Sequence, residues 1–248
     1  MNAFSNIVGV YIDFAAHTDM RKPLPLPSSL IEEALAHRGI VTARPIADMK
    51  EVMTLFRERD LRLMLLGARR LKIPLIIGST GTAGADPHLH WGYDILKEIA
   101  AAENLKFKAA LIHSEQDKAY LQKRLGEGRI KPLDPAPEFN AQVIERSSHI
   151  VGMMGAEPFM KALDSGADVV LAARASDAAS WAGCAMSRGM AAAPSWYSGK
   201  MLECGTASAT PKGHDCLVAT VRGNDLGRDL GVCGGFGGGH RGPGSCGN

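Results

Sequence analysis

The chain has 248 residues, 46% of them hydrophobic and 22% charged, with a formal net charge of +2. It is long enough to bury a sizeable core, and its near-balanced charge leaves no electrostatic footprint for nucleic acid. No apolar run reaches the roughly 18 residues that span a bilayer, and the five cysteines form no C-x-x-C pair, which argues against a disulfide framework or a zinc ribbon. The N-terminus lacks the charged-then-apolar pattern of a secretory signal, so a reduced, cytoplasmic protein is expected.

Val8–Phe14 reads as a strand, and the prolines of 23–27 forbid a helix interior. Ser28 or Ser29 caps a short helix that ends at Gly39. From Asp48 to Leu71 apolar residues recur at three- and four-residue spacing, which predicts one long helix stopped by Pro74. Strands are then expected at 73–77, 107–112, 149–154 and 168–172. Helices are expected from about Leu89 to Glu103 with Asp86 as N-cap, Glu115 to Leu125, from Asn140, Glu157 to Asp164, Asp177 to Ser187, and around 196–207. Gly166 fits the residue just past a helix end. Strand–helix alternation of this kind builds βαβ units. The expected fold is therefore α/β, a doubly wound, mostly parallel sheet with helices on both faces; a TIM-like barrel is the alternative. Residues 1–230 are expected as a single domain. Residues 231–248 hold nine glycines in eighteen positions, a composition that buries too little to offset its ordering entropy, and are expected as a disordered tail.

Four apolar runs each lead into a polar loop: Gly78-Ser-Thr-Gly-Thr-Ala-Gly-Ala-Asp86, His113-Ser-Glu-Gln-Asp117, Gly155-Ala-Glu-Pro158 and Ala173-Arg-Ala-Ser-Asp177. In an open parallel sheet the loops at the strands' carboxyl ends share one edge, where ligands bind. The glycines and hydroxyls of Gly78, Ser79, Thr80, Gly81, Thr82 and Gly84 suit an anion, and Arg174 can hold a carboxylate or phosphate bidentately. His113 is a candidate base, with Glu115, Asp117 or Asp177 as the accompanying acid. Glu157 is a candidate substrate contact beside them, and all of these carboxylates equally suit helix first turns. His88 and His90 form an H-x-H pair that with His113 suggests a metal, but alternate residues diverge on a helix. No motif requires a metal or another cofactor. Cys204 reads as a buried thiol, and Met153 and Met154 as core.

The stretch Gly152-Met-Met-Gly-Ala-Glu-Pro-Phe-Met-Lys-Ala-Leu-Asp-Ser-Gly-Ala-Asp-Val-Val-Leu-Ala-Ala-Arg-Ala-Ser-Asp177 resembles the acyclic terpene utilisation (AtuA-like) family. Lys200-Met-Leu-Glu-Cys-Gly205, Ile76–Asp86 and Ala110–Lys118 are also similar to its segments, so that the resemblance covers about 73–222. Family members are longer, and past Val221 the glycine-rich tail resembles a truncated or frame-shifted ending. The resemblance implies catabolism of a branched acyl-CoA or carboxylate, without supplying a mechanism. The resulting expectation is a lyase or hydrolase that uses acid/base chemistry on a small anionic substrate. Two alternatives stand beside it: a metal-dependent hydrolase using His88, His90 and His113, and a non-catalytic subunit that needs a partner chain. Neither nucleic acid nor a membrane is expected as a partner; a homo-oligomer is compatible with the sequence.

Overall fold

The computed structural model describes residues 7–13, 41–44, 61–81, 83–133, 135–203, 216–221 and 230–234. The helix expected after Ser28, the first part of the long helix from Asp48, Thr82, Cys204 and residues 235–248 lie outside them. Seven strands are described: β1 (Ile7–Asp13), β2 (Val41–Arg44), β3 (Leu75–Ile77), β4 (Ala109–Ile112), β5 (Val169–Ala172), β6 (Cys216–Val221) and β7 (Leu230–Gly234). The described helices, numbered here in chain order, are α1 (Arg62–Leu71), α2 (Asp86–Ala102), α3 (Lys118–Gly126), α4 (Ala141–Arg146), α5 (Glu157–Asp164), α6 (Ala179–Ser187) and α7 (Ala192–Glu203).

The strands form one sheet in the order β4-β5-β3-β2-β1-β6-β7. β1 to β5 pair in parallel, whereas β6 runs antiparallel to β1 and β7 antiparallel to β6. The fold is α/β with a mostly parallel sheet, as expected. β7 takes in Gly231 to Gly234, the first four residues of the glycine-rich segment.

Every residue of β3 and β5 is buried, which is the pattern of parallel strands covered on both faces. Leu75, Ile77, Val169 and Leu171 face one way, onto Met64, Leu65 and Ala68 of α1 and Leu89, Leu96 and Ile99 of α2. Ile76, Val170 and Ala172 face the other, onto Phe159 of α5 and Ala179 and Cys184 of α6. Crossover direction explains the division. The chain moves outward from β2 through α1 to β3, and from β3 through α2 to β4. It then turns back through α5 to insert β5 between β3 and β4. Crossovers of one hand running in opposite directions deposit their helices on opposite faces.

Residues 149–154 are a correction to the expected strands. They make only isolated bridges, Val151 to Glu115 and Met154 to Ala175. The segment pairs with the loops beyond β4 and β5 and not with a strand of the sheet, because its two bridges place it across the strand ends. Met153 is consequently 62% exposed, not core. Two expected helix starts also shift. Ala85 is the N-cap of α2, with Asp86 as its first helical residue, and α6 begins at Ala179 after Ala178, two residues later than the expected start at Asp177. Asn140 caps α4 as expected, its side chain accepting from Gln142 N and Val143 N. Gly166 follows α5 with φ of 79°, the left-handed conformation expected past a helix end.

Candidate active site

The loops after β3, β4 and β5 are stitched together at the carboxyl edge of the sheet. Ser114, 4% exposed, is the central pin: its Oγ donates to Gly84 O at 2.9 Å and accepts from Arg174 N at 2.7 Å. Gly84 has φ of 66°, and a Cβ there would stand 2.4 Å from Arg174 N, so the close approach of these loops requires glycine. Ser79 is also left-handed, with φ of 56°. Its Oγ donates to Ala175 O at 3.2 Å and accepts from Ala175 N at 3.3 Å. Thr80 donates from both N and Oγ1 to Ala172 O, at 3.0 and 2.7 Å. The Ser79 and Thr80 hydroxyls, read from sequence as anion donors, thus turn inward and bind the β3 loop to β5 and the loop after it. Gly81 packs on His88, where a Cβ would come within 2.7 Å of the His88 side chain. Gly78 lies beside Ser180.

Beyond this lock lies a cluster of imidazoles and carboxylates. His113, the first residue after β4, places Nδ1 2.8 Å from Asp86 Oδ1, and its side chain is 50% exposed. The His90 ring meets the His113 ring edge to face, with centroids 5.6 Å apart. Glu115 is not the partner of His113. Its Oε2 accepts from Asp86 N at 2.8 Å, and its Oε1 lies 2.5 Å from His149 Nδ1. Ala85 gives α2 no side-chain cap, so Glu115 supplies from another loop the anion that a helix N-terminus favours. The His149 contact first, and the Asp86 N–H second, hold the Glu115 carboxyl below its usual range. That helix N-terminus already holds an internal carboxylate.

The other candidates fall in different places. Asp117 is the N-cap of α3, accepting from Tyr120 N at 2.7 Å, and its carboxylate is engaged locally. Glu157 is exposed in the first turn of α5, folded back over Gly155. Arg174 stands 3.9 Å from Asp177, a loose ion pair. Asp177 also borders a small cavity of about 20 Å³, room for one water molecule, with Gly78, Ser79, Ser180 and the 8%-exposed Glu203. His88 and His90 diverge along α2, and among the described residues no group of three or more His, Cys, Asp or Glu is arranged to hold a metal. Burial pushes the Cys184 thiol up to about 12, which leaves it unreactive.

Sequence reasoning missed Asp86 as the partner of His113, and missed His149, Ser114 and Glu203 entirely. His149 lies 34 residues from Glu115 and opens a segment read as a strand. Ser114 stood between two more conspicuous residues, and Glu203 beside Cys204. An acid two residues after Gly84 was visible, but capping explained it equally well.

A parallel sheet whose strand-end loops converge on titratable groups belongs to the open α/β class that binds ligands at this edge. Within that class, the chain belongs to the acyclic terpene utilisation family AtuA, whose family model matches residues 35–227. No match was found among curated proteins or among solved structures. The family points to a catabolic role. No described helix is long and apolar enough to cross a membrane.

Proposed function

We propose that the protein is a catabolic enzyme that moves a proton on a small branched acyl-CoA or carboxylate, in a lyase or hydrolase reaction. The observation that carries this reading is the 2.8 Å contact between His113 Nδ1 and Asp86 Oδ1 at the carboxyl edge of the sheet. With the Nδ1 proton donated to Asp86, the lone pair sits on Nε2 of a half-exposed ring, the arrangement of an oriented general base. Asp86 replaces Glu115, Asp117 and Asp177 as the acid that accompanies His113. Arg174 holds the anionic end of the substrate, and the Gly78–Gly84 loop contributes main chain to the wall beside it, the Ser79 and Thr80 hydroxyls being engaged inward.

The test is turnover of branched acyl-CoA thioesters and the corresponding free acids by the full chain. His113→Gln is expected to lower kcat by about 10²- to 10⁴-fold, the usual contribution of a positioned base, with an unchanged melting temperature. Arg174→Lys keeps the charge but loses the planar fork, and is expected to weaken binding by about 1–3 kcal/mol. Full activity in His113→Gln, or no turnover of either substrate class by the unmodified chain, overturns the reading.

A further inference from the structure

The second histidine–carboxylate pair has no place in a one-base mechanism. A carboxylate that only capped α2 would need one oxygen on Asp86 N and could leave the other in water. Glu115 uses both: Oε2 on Asp86 N and Oε1 on His149 Nδ1 at 2.5 Å. His149 is thereby fixed as His113 is, with Nδ1 on a carboxylate, its ring 46% exposed and Nε2 without a partner among the described residues. Both pairs meet at one residue, because Asp86 holds His113 through its side chain and Glu115 through its N–H. Val151 bridges to Glu115, and Gln116 N donates to Ile150 O at 2.8 Å, so His149 is carried on backbone anchored to the same loop.

From this pairing we infer that His149 is the general acid opposite the base His113, and that the substrate is a β-hydroxyacyl compound which the protein dehydrates. The inference rests on the acyl-substrate reading above and narrows it to carbon–oxygen cleavage. His113 Nε2 removes the proton from the carbon next to the carbonyl. The electrons of that bond form the Cα–Cβ double bond, and the Cβ–O bond breaks with its pair on oxygen. Charged His149, with Glu115 on Nδ1, donates its Nε2 proton to the departing oxygen, and water leaves. One proton is taken and one given, so solvent resets both rings with no other reactant. Glu115 is a positioning residue that acts through His149 and Asp86.

The experiment compares a β-hydroxyacyl-CoA with its β-chloro analogue, whose chloride leaves without a proton. In His149→Gln, kcat on the hydroxy substrate is expected to fall about 100-fold or more, while kcat on the chloro substrate stays within about threefold. Glu115→Gln should show the same selectivity more weakly, and His113→Gln should lose both reactions. Melting temperatures confirm that the variants fold. Equal effects of His149→Gln on the two substrates, or none on either, overturn the acid role while leaving the base reading intact. If the unmodified chain turns over neither compound but processes other acyl-CoA thioesters, the dehydration falls and the broader reading stands. Absence of all acyl turnover overturns both.

Discussion

The two edges of the parallel sheet solve the same problem with different chemistry. At the amino edge, Asp168 precedes β5 and gathers its neighbours. Its Oδ1 lies 2.6 Å from Arg69 Nη1 of α1, and its Oδ2 accepts from Lys108 N before β4 at 2.8 Å. Its backbone O accepts from Leu75 N of β3 at 3.0 Å. At the carboxyl edge, Glu115 performs the equivalent task with Asp86 N and His149. Both carboxylates cross-brace loops. The difference is the cation: arginine stays charged at every physiological pH, whereas histidine changes charge near neutrality. A brace built only for stability has no need of a titrating partner. Of the histidines at the carboxyl edge, two lie on carboxylates and another against one of those rings. This asymmetry argues for chemistry at one edge and scaffolding at the other.

Breaking the lock at the carboxyl edge should have the largest effect. Gly84→Ala puts a side chain on backbone with φ of 66° and a Cβ 2.4 Å from Arg174 N. The left-handed strain and the overpacking together are expected to cost about 2–4 kcal/mol, read by denaturant unfolding. Activity should fall as well, because the displaced loop carries Asp86 at its end. A variant of unchanged stability would show that the two loops are not held against each other. Asp168→Ala tests the other edge. It leaves Lys108 N and Arg69 without this carboxylate and is expected to cost about 1–3 kcal/mol, the scale of hydrogen bonds to a charged group. In the variant that remains folded, kcat should be unchanged. A fall in kcat comparable with that of His113→Gln would erase the distinction between the edges.

The sequence made some of this asymmetry legible. Apolar runs at 73–77, 107–112 and 168–172 located β3, β4 and β5, because fully buried parallel strands need only local hydrophobicity. The polar loops after them identified the edge that carries His113. Pairing was out of reach. Nothing local in Leu111 or Val170 states that β5 inserts between β3 and β4, and β2 and β6 were not read as strands at all. Segment 149–154 has the apolar character of a strand, yet it crosses the strand ends, since register and neighbours are decided by the whole sheet. The same limit governs the site. Asp86 follows proper capping chemistry in sequence, and only the crossover that brings the start of α2 over β4 turns it toward His113.

The smallest effect concerns the charge on Glu115. Its folded carboxyl titrates below the usual range because His149 and the Asp86 N–H both favour the ionised form. In the unfolded chain a glutamate titrates near about 4.3. A carboxyl depressed on folding adds stability that is present above the unfolded value and is lost as pH falls through the folded one. Glu115→Gln keeps the shape and loses the charge, so its melting temperature should lie below that of the unmodified chain at pH 6. The gap should narrow steadily on acidification and close once Glu115 is protonated in the folded state as well. Subtracting the two curves isolates this one carboxyl from the other acids that titrate in the same range. A gap that stays constant from pH 6 to pH 3 would mean that the ionised form has no advantage at this position. The carboxyl edge would then be braced by geometry alone, and its histidines would need another explanation.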